Sequence, residues 1–208
     1  QNSDLIDSTV SIPIRIVATT NEDVTKNVIE STNSQTEVSD EQLKSLSDYQ
    51  KTLEEHFSTY EGDARIYYER RSKQYASNLE VEKTRIVSIP SQIKSFGAMF
   101  LDDPHRAGRY YATLRKIHED RLFRSDDKPE PYYTAAYSSY RLEYLFRNNL
   151  LPVQYKPVRW HLLLAVRAIC TNSFSVPPMN SRKIVSVCAE INRKMWNPET
   201  ALEVFTGA

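Results

Sequence analysis

Glycine is scarce in this chain, with only four residues among 208. Tight β-turns and phosphate-binding loops depend on glycine, because its backbone adopts conformations that a Cβ atom disfavours. The scarcity argues against a β-barrel or sandwich with many hairpins, and against a Gly-rich phosphate loop. A hydrophobic fraction of 40% and a charged fraction of 26% are ordinary for a globular protein. The length of 208 residues is enough for one large domain or two small ones with a buried core.

One segment near the start of the chain carries a clear strand pattern. Ile12, Ile14 and Ile16 alternate with other side chains, and a two-residue period of β-branched residues is typical of a half-buried strand. Its best partner within the chain is a second predicted strand over 83–89, and further partners are expected upstream of Gln1. The polar residues 1–10 are expected to form a linker.

Most of the remaining chain is predicted to be helical. A helix follows Asn21, and a Ser39-Asp-Glu-Gln42 capping box opens the next one, with a break at Ser47. Asp63 is expected to begin a helix that runs through Tyr75. Further helices are predicted from Ser91, from Asp103-Pro104 to about 123, over 132–150, over 157–172, over 181–195 with Asn180 as its cap, and from Asn197-Pro198, with a loop over 125–131.

Charge is unevenly distributed, although the formal net charge is zero. Residues 1–63 hold 13 acidic and 4 basic side chains, whereas residues 64–208 hold 14 acidic and 23 basic ones. Two interpretations remain open. Either the two segments attract each other, or the basic segment faces an anionic partner such as nucleic acid.

No sequence pattern indicates a metal, a cofactor or a membrane span. Cys170 and Cys188 lack CxxC spacing and are interpreted as small core residues in a reduced compartment. The four histidines are scattered, whereas a structural zinc site needs clustered ligands. No signal peptide is visible, and no apolar run approaches the ~20 residues of a membrane helix. We therefore expect a cytoplasmic protein with no cofactor and no membrane partner.

Several segments in the first half of the chain follow one another in a characteristic order and spacing. They are Ile14-Arg-Ile-Val17, Val28 to Asp40, Gln50 to Phe57, Tyr67-Tyr-Glu-Arg-Arg71 with Gln74-Tyr75, and Phe96 to Leu101 with Pro104-His105. Together they are much more specific than any one of them alone. On these segments the chain resembles the abortive-infection phage-resistance (AIPR) family, and its second half is similar to the looser helical tail of that family.

This resemblance implies a helical part of a longer bacterial defence protein. Family members are often encoded beside restriction–modification genes, and their N-terminal portion resembles a PD-(D/E)xK nuclease. The family's Asn-Asn-Gly and Asn-Gly-x-Gln-Thr motifs precede the strand at Ile12 and do not occur here. Because the chain starts with Gln1 instead of Met, we expect it to be a piece of a longer polypeptide. Any metal-binding carboxylates of a nuclease are then expected upstream.

The turn Asn33-Ser-Gln-Thr36 is the first candidate contact for nucleic acid. Two amides and two hydroxyls within four residues suit base edges or a phosphate group. Asn33 and Gln35 are the predicted contacts in this turn. The alternative is a turn that satisfies its own backbone, with Asn33 in the left-handed position after a helix.

A second candidate interleaves basic and aromatic side chains. Cations of this kind neutralise phosphates while aromatic rings stack on bases. The alternative is a helix with one face in the core, in which Arg71 pairs with Glu41 or Glu54. The predicted nucleic-acid contacts of this segment are Arg70, Arg71, Lys73 and Tyr75.

Two further segments place aromatic or basic residues at helical spacing. The first is a stripe for which a packed tyrosine seam is favoured over a base-stacking platform. The second is a basic run over 106–124, which is ordinarily a solvated face but contributes most to any positive patch. The stripe consists of Tyr133, Tyr137, Tyr140 and Tyr144, and the predicted nucleic-acid contacts of the basic run are Arg106, Arg109 and Arg115.

No catalytic motif is recognisable in the sequence. Asp126-Asp-Lys128 matches a nuclease D-x-K pattern in letters only, because it lies in a Pro-flanked loop and not on a strand. The Gly-x-Ser-x-Gly, HExxH and P-loop patterns are absent from the sequence. We therefore expect no catalytic residue and no metal site in this chain.

These patterns lead to one prediction of fold and two of function. The fold is expected to be mainly α, a bundle of about eight helices with a short β element near the N-terminus. Residues 11–103 form the AIPR-like segment, and residues 104–208 form a helical region packed on it. The first function is a non-catalytic module of a phage-defence protein that supports an upstream nuclease-like region and contacts DNA or RNA. The alternative is a purely structural module that completes the upstream part of the same polypeptide or forms a homodimer.

Overall fold

A computed structural model describes residues 47–109 and 111–208 of the chain. The predicted strand over 11–18, the helix after it, the turn with Asn33 and Gln35, and the Ser39 capping box lie outside the described residues. Within the described part, the protein is mainly α-helical, as predicted, with eight α-helices and one small β-sheet.

Two short strands lie among the helices, close to the start of the described part. The α-helices and strands follow in the order α1 (Asp48–Ser58), β1 (Tyr67–Glu69), β2 (Ile86–Ser88), α2 (Ile89–Phe100), α3 (Pro104–Arg109), α4 (Tyr111–Ile117), α5 (Glu130–Arg147), α6 (Arg159–Thr171), α7 (Arg182–Trp196) and α8 (Pro198–Gly207). Short 3₁₀ helices cover Gly62–Ala64, Lys83–Arg85, Glu119–Arg121 and Val153–Val158.

Polar side chains define where several helices begin. Ser47, the predicted break, caps α1 by accepting a hydrogen bond from the backbone N–H of Gln50. Asn197 caps α8 as predicted, and its side-chain oxygen accepts from the N–H of Glu199 at 2.8 Å. These ends were predictable because a cap depends on a few neighbouring residues.

Two predicted helix starts were wrong by one to three residues. Ser88, and not Ser91, caps α2, because the chain turns directly from β2 into this helix. Ser181, and not Asn180, caps α7 by accepting from the N–H of Ile184 at 3.2 Å. Asn180 instead donates its side-chain amide to Asp126 at 2.9 Å.

The predicted helix from Asp63 through Tyr75 was wrong. Tyr67–Glu69 forms a strand that pairs in parallel with Ile86–Ser88, and Tyr68 lies opposite Val87. This pairing confirms the centre of the strand predicted over 83–89. Aromatic side chains suit a half-buried strand, and Lys73 has a positive φ of 61°, which interrupts a right-handed helix. Long-range pairing therefore overrides the helical spacing of this segment.

Within the described residues, the helix predicted from Pro104 to about 123 is helical over Pro104–Arg109 and Tyr111–Ile117, and a 3₁₀ turn follows at Glu119–Arg121. α4 ends at Ile117, because the backbone of His118 leaves the helical region with φ −107° and ψ 22°. The His118 side chain is buried and its Nε2 lies 3.0 Å from a carboxylate oxygen of Asp103. The break therefore brings a titratable ring into contact with the residue that precedes α3.

The hydrophobic core is centred on α2 and α5. Phe96 is fully buried, and its ring stacks on Tyr132 with centroids 4.1 Å apart. Gly97 permits the close approach of α4, because a Cβ atom there would lie 3.0 Å from the side chain of Leu114. The remaining helices pack around this pair, and none of the described helices is long and apolar enough to cross a membrane.

The two cysteines are unpaired and buried, which confirms their interpretation as core residues. Burial raises the pKa of Cys170 to about 11 and the pKa of Cys188 to about 12. Thiols with such pKa values stay protonated at neutral pH and are poor nucleophiles.

Candidate nucleic-acid interface

Three of the four tyrosines in the stripe on α5 form a packed seam, whereas Tyr144 is exposed. Tyr133 and Tyr137 are fully buried and their rings stack with centroids 5.7 Å apart. The Tyr133 hydroxyl donates to the Ala64 carbonyl at 2.5 Å, and the Tyr137 hydroxyl donates to the Asp63 carbonyl at 3.0 Å. The two hydroxyls thus satisfy backbone carbonyls in the turn before β1. Because both rings are buried, neither has a face available to stack on a base.

Arg141 extends this seam to the end of another helix. Its side chain is 4% exposed, and its guanidinium donates to the carbonyls of Met195 at 3.0 Å and Trp196 at 3.1 Å. These carbonyls belong to the last turn of α7, whose C=O groups lack partners within the helix. Arg141 therefore has a structural role, since a cation at a helix C-terminus is favoured electrostatically.

The segment around Arg70 divides into buried and exposed parts. Arg70 is 6% exposed and its Nε donates to Glu54 at 2.8 Å. Burial opposes the charged form of Glu54, but hydrogen bonds from Arg70 and Gln74 outweigh it and lower the pKa of this carboxyl. The positive charge of Arg71 lowers this pKa further. Arg70 is therefore buried in an ion pair and does not offer its charge to a ligand at the surface.

The other predicted contacts of this segment are closer to solvent. Arg71 and Lys73 are exposed. Tyr75 is half-buried and packs edge-on against Tyr67, with centroids 5.5 Å apart. The structure therefore leaves two cations of this segment on the surface, while its rings pack against the protein.

The basic run over 106–124 lies mainly on the surface. Arg109, Lys116 and Arg121 are exposed, and among the described residues none of them has an acidic partner. Arg106 pairs with Asp103 at 3.0 Å, and Arg115 is half-buried. We call Arg106, Arg109, Arg115, Lys116, Arg121 and Arg124 the basic surface.

The base of α3 is held by a small polar cluster. Asp103 is buried, accepts from the Arg106 guanidinium at 3.0 Å and lies 3.0 Å from His118 Nε2. Burial by itself raises the pKa of Asp103, but the hydrogen bonds from His118 and Arg106 outweigh it, and the pKa of this carboxyl is lowered. The ionised carboxylate therefore helps to fix α3 and α4, which carry much of the basic surface.

Replacing Asp103 with asparagine is expected to lower the free energy of unfolding at pH 7 by about 1–3 kcal/mol, because charge-assisted hydrogen bonds are lost. A carboxyl whose folded-state pKa lies below its unfolded value of ~4 stabilises the fold above that value. The contribution disappears as the pH falls through the folded-state pKa. Urea denaturation at several pH values should therefore show a difference from the parent protein that shrinks toward low pH. A pH-independent difference would contradict the assigned ionisation.

The carboxylates of the Asp126-Asp-Lys128 loop have structural partners. Asp126 accepts from Arg124 at 3.0 Å, and buried Asp127 accepts from the Tyr132 hydroxyl at 2.9 Å. Burial raises the pKa of Asp127. Among residues 47–109 and 111–208, no group of three His, Cys, Asp or Glu side chains is placed to hold a metal ion.

A groove with a volume of about 590 Å³ lies beside the basic surface. Residues of three separate segments line it: 100–102 at the end of α2, 174–180 in the loop before α7, and Arg121, Arg124, Asp126 and Asp127 between them in the sequence. Sequence patterns did not indicate this groove, because residues from distant segments form it and none of those segments carries a recognisable motif.

Comparison with known proteins supports the resemblance noted from the sequence. The model of the AIPR protein family matches residues 1–185. A search of curated proteins found no match, and a search of solved structures found none either. Because the family model covers most of the 208 residues, the chain belongs to the AIPR protein family.

Proposed function

We propose that this chain is a non-catalytic helical module of an abortive-infection phage-defence protein, and that it binds nucleic acid through the basic surface. The observation that carries the proposal is the exposure of Arg109, Lys116 and Arg121 without acidic partners among the described residues. Exposed cations without such partners are suited to neutralising phosphates. In this proposal, the module holds nucleic acid for a nuclease-like region in the upstream part of the same polypeptide.

Charge distribution supports the same proposal. Residues 64–208 contain 23 basic and 14 acidic side chains. Several cations are neutralised internally, as in the pairs of Arg70 with Glu54 and of Arg167 with Asp102. Within the part of the chain that the structure describes, Arg109, Lys116 and Arg121 of the basic surface are free of this neutralisation, so an anionic partner gains most there.

The test measures binding of labelled DNA and RNA, single-stranded and duplex, by fluorescence anisotropy. The salt concentration is varied over roughly 50–200 mM, a range over which phosphate contacts cause a large change in affinity. We expect affinity to fall steeply with salt. Replacing Arg109 and Lys116 together with alanine should weaken binding and reduce the slope of log affinity against log salt by about 1 for each cation.

A matched control removes two exposed lysines elsewhere, Lys83 and Lys183. This control should change the salt slope much less than the loss of Arg109 and Lys116. Absence of binding at the lowest salt concentration would reject the proposal, and so would an equal effect of the two double variants.

The second candidate function is a structural or oligomerisation module. It is favoured by a run of exposed apolar side chains after α5, since such patches mark contacts with other protein surfaces. Light scattering across a concentration series distinguishes it, because a stable homodimer without nucleic-acid binding would support this function and not the first. The exposed side chains are Leu150, Val153, Tyr155 and Val158.

A further inference from the structure

Phe174 is an exposed aromatic residue on a well-anchored loop. Its side chain is 79% exposed, whereas its carbonyl accepts a hydrogen bond from the Arg167 guanidinium at 3.1 Å. The next N–H, that of Ser175, donates to the Ser173 hydroxyl at 3.0 Å. The ring is thus exposed to solvent, while its backbone is held in place by a hydrogen bond from the buried Arg167 and by another within the loop. An anchored, exposed ring of this kind is suited to contact with another molecule.

The loop that carries Phe174 is also fixed at its other end. The N–H of Lys128 donates to the Met179 carbonyl at 2.9 Å, and the Asn180 amide donates to Asp126 at 2.9 Å. Direct hydrogen bonds therefore join the segment around 126–128 to the loop over 174–180, and both segments border the groove. Its volume of about 590 Å³ falls within the roughly 300–1,000 Å³ of sites that take small organic groups.

The charges that line the groove are unevenly compensated. Asp102 pairs with Arg167 at 2.8 Å, Asp126 pairs with Arg124 at 3.0 Å, and Asp127 accepts from the Tyr132 hydroxyl at 2.9 Å. Each carboxylate of the groove thus has a partner. Arg121 also lines the groove, is exposed, and has no acidic partner among the described residues. Asp127 is buried and its partner is a neutral hydroxyl, so the exposed charge of the groove that lacks a partner of opposite sign among the described residues is the cation Arg121.

We propose that this groove binds one nucleotide of a single-stranded nucleic acid, with the base stacked on Phe174 and the phosphate at Arg121. The inference rests on the proposed function, since the same strand continues over the basic surface. A ring beside a cation matches a base beside a phosphate. Bases within a duplex are already stacked and cannot reach such a ring without being flipped out. The groove therefore selects single strands, whereas the basic surface by itself binds either form.

The test compares a labelled single strand with a duplex of the same length, in fluorescence anisotropy with the whole chain. Phe174→Ala should weaken single-strand binding about 5- to 150-fold, the effect of losing one base–aromatic stack, and should leave duplex binding unchanged. Phe174→Trp should retain single-strand binding. Arg121→Ala should weaken it and lower its salt slope by about 0.7, as one phosphate contact to a single strand requires.

Matched controls are Leu79→Ala, whose side chain is 98% exposed, and Lys83→Ala, which removes another exposed cation. Neither should change the preference for single strands. If single strands bind through Arg109 and Lys116 but Phe174→Ala has no effect, the groove assignment is wrong while the proposed function stands. If no nucleic acid binds at low salt, both proposals fail. Binding of a polyglutamate peptide that depends on Arg121 and Phe174, in place of nucleic acid, would likewise overturn the assignment.

Discussion

Replacing Arg167 with alanine is expected to lower the free energy of unfolding by about 3–5 kcal/mol, because the loss of a large buried side chain opens a cavity and leaves a buried carbonyl without a partner. The Arg167 side chain is 2% exposed and donates to the Met99 carbonyl at 2.6 Å. That carbonyl lies in the last turn of α2, where C=O groups have no partner within the helix. The substitution leaves it buried and unsatisfied, opens a cavity and releases the Phe174 carbonyl. Chemical denaturation monitored by circular dichroism measures the change.

A graded series separates packing from hydrogen bonding at this position. Arg167→Met retains most of the side-chain volume and should cost about 1–3 kcal/mol, because only the hydrogen bonds are lost. Arg193 on α7 pairs with Glu190 at the surface, and Arg193→Ala should change stability by less than about 0.5 kcal/mol. If Arg167→Ala destabilised the protein no more than this surface control, its assigned role would be wrong.

Phe96→Ala should also cost about 3–5 kcal/mol, in this case by opening a cavity in the core. Phe96 is 0% exposed and stacks on Tyr132, which is itself fully buried. α2 and α5 meet at this stack, so neither helix can close the space without leaving its other neighbours. A fall in the melting temperature of ~2–4 °C for each kcal/mol is expected for a domain of this size, and scanning calorimetry measures it.

Two comparisons isolate the effect of burial. Phe96→Leu retains much of the volume and should cost less than about 1.5 kcal/mol. Phe174→Ala removes the same atoms from an exposed position and should change stability by less than about 0.5 kcal/mol. Equal effects at positions 96 and 174 would show that the core is not where the structure places it.

Local signals in the sequence predicted most of the helices. The break at Ser47 and the helix start at Asn197-Pro198 needed only neighbouring residues, and α1 and α8 begin there. The loop predicted over 125–131 was too long by two residues, because α5 begins at Glu130. The tyrosine seam also followed from helical spacing. The strand Tyr67–Glu69 was missed because its residues have the spacing of a helix, and only pairing with Ile86–Ser88, distant in the sequence, decides its conformation.

Neither the groove nor the hydrogen bonds of the neighbouring buried Arg167 could be predicted from local patterns. Arg167 interrupts an apolar run, and that run alone does not reveal that the guanidinium reaches Met99, Asp102 and Phe174. Similarly, Arg70 and Arg71 are adjacent in the sequence, yet the structure buries the first and exposes the second. Which cations remain available to a ligand depends on tertiary neighbours, so the basic surface needed the structure for its definition.

The hydrogen bonds from Arg141 to the end of α7 help to define the C-terminal boundary of this folding unit. The family model ends at residue 185, but Arg141 binds carbonyls at 195 and 196, and buried side chains continue to position 205. A fragment cut at the end of the family match would expose part of its own interior and remove both carbonyl partners of the Arg141 guanidinium. The cooperative unit is thus larger than the recognisable family signature, and residues 186–208 belong in any fragment prepared for study. The buried side chains that a cut at residue 185 would remove include Ile191, Met195, Ala201 and Phe205.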